Sequence, residues 1–174
     1  MSLHFCLQTF NHPKKLRVFQ ERLKNFVPLY PNNFTYTMIQ IGDVFTLDFS
    51  FTQEQVNQYA EISGDTNPLH VNAEAGAASI FGKCIIHGHL SASVFTRIFG
   101  VLLHADGHIY MKQNTTFLKP MFVDTPYRAV VTVKEIFPEK NRVLYETRVM
   151  DPASGADTIN GEALLMNKKA YVWS

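Results

Sequence analysis

At 174 residues, 46% apolar and 18% charged, the chain has the size and composition of one soluble-type globular domain with a sizeable core. A net charge of +1 leaves no basic surface for nucleic acid, and no apolar run reaches the roughly 18 residues of a membrane span. Its two cysteines, Cys6 and Cys84, have no disulfide-framework spacing and fit a reducing compartment.

The near-neutral total hides an asymmetry. Residues 1–37 carry Lys14, Lys15, Arg17, Arg22 and Lys24 against Glu21 alone, whereas the rest of the chain is mildly acidic. Pro13, Pro28 and Pro31 interrupt this first stretch, which has no clean periodicity. Two readings stay open: an appendage to a domain that opens at Met38, with the protein in the cytoplasm, or a mitochondrial transit peptide, although the usual Ser and Arg richness is missing. The functional domain is expected over 38–174.

Residues 44–49 alternate as a first strand. Thr52 and Gln55 then form a Thr-x-x-Gln capping box, Val56, Tyr59 and Ala60 supply the apolar stripe of a helix, and Ser63-Gly64 closes it. Ser-Gly-Asp-Thr-Asn-Pro-Leu-His follows at 63–70 and sets Asp65 five residues before His70. Gly64 and Pro68 predict an irregular, rigid loop here, and Asn72 should cap a second short helix through about Ser79, with Glu74 in its first turn.

His87-Gly88 precedes a second long apolar segment, His89 to Leu102. Leu90, Val94, Ile98 and Leu102 make one stripe and Phe95, Phe99 and Val101 flank it, so the helix should be buried around its circumference. After a turn at Ala105-Asp106-Gly107, strands are expected at Ile109–Leu118, Tyr127–Ile136, Arg142–Met150 and Thr158–Asn167. Helices first and antiparallel strands after give an α+β domain, solved most simply by a sheet wrapped around the buried helix.

Asp65 alone reads as a loop cap, and His70 alone as a core histidine. Together they form a carboxylate–imidazole pair able to hold one water and exchange protons with it. The Gly88 N–H, at the start of a helix, has no intrahelical acceptor and suits an oxygen that gains charge during a reaction. His87 reads as orienting that turn, and Asn67 as bonding its own loop. The pairs His87-x-His89 and His104-x-x-x-His108 lack an acid or cysteine at zinc spacing, so no metal is expected. No phosphate loop, nucleophile elbow or dinucleotide fingerprint is present, and no organic cofactor is expected.

The run FTQEQVNQYAEISGDTNPLH and the later IIHGHLSASVFTRIFG resemble the first helix, catalytic loop and central helix of the MaoC-like (R)-specific enoyl-CoA hydratases. The resemblance covers 38 to about 170; the strands beyond Gly107 fit in pattern without a sharp motif. It implies a single hot-dog domain, a homodimer, and reversible hydration of trans-2-enoyl-CoA to (R)-3-hydroxyacyl-CoA. Asp65 and His70 would be the acid–base pair and Gly88 the oxyanion donor. Asn67, His87 and Thr96, the last where relatives carry a small hydroxyl residue, would line the substrate side. Acyl-CoA is the expected substrate; a 3-hydroxyacyl-[acyl carrier protein] dehydratase or a non-catalytic acyl-thioester binding module on the same fold are the alternatives, and neither nucleic acid nor membrane is an expected partner.

Overall fold

A computed structural model describes residues 39–103 and 107–168. The expectations for residues 1–37, for Met38 as the opening residue and for the turn at Ala105-Asp106 lie outside them.

Five strands, β1 (Val44–Phe49), β2 (Ile109–Phe117), β3 (Tyr127–Phe137), β4 (Arg142–Met150) and β5 (Asp157–Met166), form one antiparallel sheet in the order β1-β3-β4-β5-β2. Alternation decides which face is covered. Tyr127, Ala129, Val131 and Val133 of β3 are buried, as are Val143, Tyr145 and Val149 of β4 and Ile159, Ala163 and Leu165 of β5. Each of the Val, Ile and Leu side chains in this set contributes about 1.5–3 kcal/mol when removed from water, and a one-residue slip would expose the whole set.

The helical segment from Gly88 to Leu102 packs on that face. It is built as α4 (Gly88–Ala92), α5 (Val94–Arg97) and a π-helical turn over Ile98–Leu102, where the Leu103 N–H donates to the Ile98 carbonyl at 3.1 Å. Leu90, Val94, Phe95, Ile98 and Phe99 join the sheet core. Burial around the whole circumference is not found: Ser93, Thr96, Arg97, Gly100 and Val101 are exposed. A five-stranded sheet can cover only one side of a helix in a single chain, so half of this apolar segment faces outward.

The other helices are α1 (Gln53–Ser63), α2 (Pro68–Val71) and α3 (Ala73–Ala78). The predicted capping box opens α1: Thr52 Oγ1 accepts from the Gln55 N–H, and Gln55 Oε1 accepts from the Thr52 N–H. Gly64 closes it at φ 77°, a conformation that needs glycine. Asn72 caps α3 by accepting from the Ala75 N–H at 2.9 Å. The expected irregular loop is instead the single turn α2. Pro68 occupies its first position, where the missing N–H is no loss, and the Asn67 side chain caps it by accepting from the Leu69 N–H at 3.0 Å. Proline read as a breaker is here a helix starter. No helix among the described residues is long and apolar enough to cross a membrane.

Candidate active site

The segment after α1 places Asp65 by local bonds. Its N–H donates to Ser63 Oγ at 3.2 Å, and its Oδ1 accepts from the Asn67 N–H at 3.3 Å. The carboxylate is about half exposed, at 53%. His70, half-buried in α2, is held from outside its own turn: Nδ1 lies 2.8 Å from the Ile85 carbonyl, and the Ile85 N–H returns a bond to the Leu69 carbonyl at 3.2 Å. Gln53 Nε2 donates to the His70 carbonyl at 2.9 Å and ties the turn to α1.

A carbonyl oxygen only accepts. The proton of neutral His70 therefore sits on Nδ1, and the lone pair sits on Nε2. The same argument applies to His87, whose Nε2 lies 2.9 Å from the Asp65 carbonyl. His87 is 2% exposed, and its ring lies against His70 with centroids 3.9 Å apart and packs at a tilt on Tyr59 at 5.0 Å. Its Nε2 is also 4.0 Å from Asp65 Oδ2. Residues 65, 70 and 87 are thus one cluster, with the buried imidazole supporting both the backbone of the carboxylate residue and the face of the second imidazole.

These three residues bring ligand-type atoms within 4.8 Å of one another, a combination that neither histidine pair considered from spacing contains. Two of the ring nitrogens are already committed to backbone carbonyls, and bonds of about 2.0–2.2 Å would require a tighter set than this.

Beside the cluster lies a cavity of about 350 Å³, bordered by His70, Gly88, Ser91, Phe117, Met121 and Ile159 among others. Apart from His70 and Ser91 these side chains are apolar, and the volume falls in the range of small-molecule sites. Gly88 sits at the first position of α4. A Cβ there would stand 3.0 Å from the Phe117 ring, so glycine at this position also lets the end of β2 close against the helix.

The structure brings Asp65, His70 and His87 together and sets His70 and Gly88 on one cavity. Asn67 caps α2 and holds Asp65 rather than pointing its oxygen at the cavity. Thr96 is exposed and does not border the cavity. The hydroxyl that does border it belongs to Ser91, which is 2% exposed and whose Oγ has no hydrogen-bond partner among the described residues. Its signal in the sequence was a polar residue three positions after Gly88, on the same helix face.

An antiparallel sheet packed on a central helix, with a carboxylate–imidazole pair beside an apolar cavity, defines a hydro-lyase of the hot-dog fold. The chain belongs to the MaoC-like dehydratase family: the family's model, described as MaoC like domain, matches residues 38–152. It is 33% identical over 128 residues to an (R)-specific enoyl-CoA hydratase of Rhodospirillum rubrum, covering 74% of this chain and 88% of that one. It is 30% identical over 129 residues to a mitochondrial 3-hydroxyacyl-[acyl-carrier-protein] dehydratase of Arabidopsis thaliana, covering 73% and 76%. Among solved structures, the (R)-hydratase from A. caviae involved in PHA biosynthesis is similar with a TM-score of 0.70 and 32% identity, over 74% of this chain and 96% of that one.

Proposed function

We propose that this chain hydrates trans-2-enoyl-CoA to (R)-3-hydroxyacyl-CoA and runs the reverse dehydration. The observation that carries the reading is the His70 tautomer: with the Nδ1 proton engaged by the Ile85 carbonyl, a bare Nε2 is left in a ring that borders the cavity and shares a cluster with the Asp65 carboxylate.

In the forward direction Asp65 and His70 hold one water. Its oxygen bonds to C3, the pair takes one of its protons, the C2–C3 double bond becomes single, and the pair returns one proton to C2. The pair ends as it began and acts as one coupled acid–base unit. Negative charge collects on the thioester oxygen midway, where the Gly88 N–H donates to it. Fixing water, alkene and carbonyl in register supplies much of the remaining acceleration. This chemistry needs neither metal nor organic cofactor, and none is assigned.

Two further parts of the reading follow from the fold and the relatives. Among the described residues β1 and β2 are the edge strands of the sheet, and β2 exposes Ile109, Tyr110, Met111 and Phe117; pairing such edges in a homodimer removes an aggregation liability. Sedimentation equilibrium at micromolar concentration is expected to give a dimer, and a monomer would remove this element. The compartment assigned is the cytoplasm, with the mitochondrial matrix as the alternative.

The second activity, dehydration of 3-hydroxyacyl groups on acyl carrier protein, is supported by the Arabidopsis relative's name and by Lys119 at the cavity border. The test is loss of the enoyl-thioester absorbance with crotonyl-CoA, with longer 2-enoyl-CoAs and with the matching carrier-protein thioester. Chiral analysis of the product should give the (R) alcohol. Unchanged absorbance with every thioester, or an (S) product, defeats the reading.

A further inference from the structure

Among the described residues of the cavity wall, Ser91 is the one whose polarity has no structural explanation. It is 2% exposed, and its Oγ meets no partner among the described residues. A buried hydroxyl without a partner is costly, and alanine, of nearly the same size, would avoid the cost. The other cavity side chains around it, such as Ile86, Met121 and Ile159, are apolar and offer it nothing. His87 and Arg142 also carry a buried side-chain nitrogen without a partner, but neither borders the cavity. An orphan hydroxyl on the wall of a ligand-sized cavity points to a ligand atom.

Position indicates which atom. Ser91 follows Gly88 by three residues on the same helical segment, so the two lie on one helix face, about one turn apart. Both border the same cavity. The C3 end of the substrate belongs to Asp65 and His70, on separate elements, which leaves the thioester end to the Gly88–Ser91 face.

We infer that Ser91 is a substrate-binding and catalytic residue: its hydroxyl donates to the thioester oxygen, as a second donor beside the Gly88 N–H. This rests on the proposed enoyl-thioester reading. The bond would strengthen as charge collects on that oxygen, so its contribution falls on turnover more than on ground-state affinity. No proton leaves the serine, and the hydroxyl is intact after each cycle.

The experiment compares wild-type chain with Ser91→Ala, using crotonyl-CoA carrying carbon-13 at the carbonyl. Three quantities are read: kcat and KM for hydration, the isotope-edited infrared band of the bound carbonyl, and the melting temperature. The expected result is a kcat lower by on the order of 10²-fold, a KM little changed, a carbonyl band moved toward its frequency in the free thioester, and a melting temperature equal to or above wild type. Loss of activity without loss of stability is the signature that a packing role would not produce.

A band at the wild-type frequency overturns the proposal, whatever happens to kcat. So does a KM that rises while kcat stays within about threefold of wild type, since that is ground-state contact only. A wild-type chain that binds crotonyl-CoA without hydrating it defeats the proposed function, yet the band comparison still decides whether Ser91 touches the carbonyl. A wild-type chain that binds no enoyl-CoA overturns both.

Discussion

The two segments that meet at the site are built by different means. Residues 63–72 are exposed except at the half-buried Leu69 and His70, and apart from the ties of that pair to Ile85 and Gln53 they are held by bonds that close within four residues: Asp65 N–H to Ser63 Oγ, Asn67 N–H to Asp65 Oδ1, Leu69 N–H to Asn67 Oδ1, and Asn72 N–H to the Pro68 carbonyl. Residues 85–91 are held by partners far away in sequence: Ile85 bonds Leu69, Ile86 bonds Met121, and His87 bonds Asp65. The first segment carries its conformation in its own composition. The second receives its conformation from the fold. Substitutions in the first should therefore alter chemistry at a cost of no more than about 1 kcal/mol in stability, whereas substitutions in the second should alter both.

The sharpest division is expected from the acid–base pair. Asp65→Asn and His70→Gln should each lower kcat by at least ~10²-fold, the scale of a positioned proton-transfer group. Asp65 is half exposed and accepts only a long bond, so its amide variant should melt within about a degree or two of wild type. His70→Gln gives up the Ile85 contact and should lose about 1 kcal/mol. Steady-state hydration kinetics and thermal melts measure both. A variant that keeps near-wild-type turnover would break the assignment of its residue.

His87 tests the opposite side of the comparison. His87→Phe keeps a ring packed between His70 and Tyr59 but removes the N–H that meets the Asp65 carbonyl. The lost bond should cost about 1–2 kcal/mol, a few degrees in melting temperature for a domain of this size. The Asp65 backbone loses its anchor at the same time, and kcat should fall roughly tenfold as the carboxylate wanders from its position. If kcat falls as far as in His70→Gln while the melting temperature holds, His87 acts on substrate directly and the division between the segments fails.

The same division explains what was legible in the sequence. Most of what is local could be read: the Thr52–Gln55 box, the Gly64 stop, the Asn72 cap and all five strands follow from periodicity and turn chemistry within a few residues, whereas Asn67-Pro68 reads as a loop and starts the helical turn α2. The Asp65–His70 pair was visible because both members share that local segment. The stack of His70 on His87 was not, since seventeen positions separate them and they are brought together by the bonds of Leu69 and His70 to Ile85 and of His87 to Asp65. Ser91 is singled out by no motif in the sequence, and its significance appears only once the fold sets its hydroxyl on the cavity. The outward face of the 88–102 helix was missed for a related reason, because apolar content does not say how much of a helix one sheet can cover.

A smaller effect belongs to Asn67, where cap and site coincide. Asn67→Ala removes the acceptor for the Leu69 N–H and should cost about 1 kcal/mol, with kcat down a few-fold as α2 loosens under His70. Asn67→Asp or Asn67→Ser, which can still cap, should recover most of both. If kcat stays low in those variants while stability returns, the Asn67 amide meets the substrate itself, and the exposed segment then holds one more chemical group than its bonds suggest.

The smallest effect is expected from His108, a histidine outside the site but held in the same way. Its Nδ1 lies 3.0 Å from the Phe99 carbonyl, at the π-helical end of the central segment. Burial, opposed in part by that bond, lowers its pKa from the ordinary histidine value. The direction sets the pH dependence of stability. An unfolded His108 takes up a proton below about pH 6.5, while the folded one resists until lower pH, so the unfolded state binds more protons in between. The contribution is fully present above about pH 6.5 and is lost as pH falls through the folded pKa. His108→Gln should therefore flatten the acid side of a plot of melting temperature against pH and leave hydration kinetics at neutral pH unchanged. An unaltered acid slope would show that other groups carry it. A large loss of turnover would mean that the far end of the central helix controls the Gly88 end, and the separation of a locally built site from its fold-built support would have to extend along the whole helix.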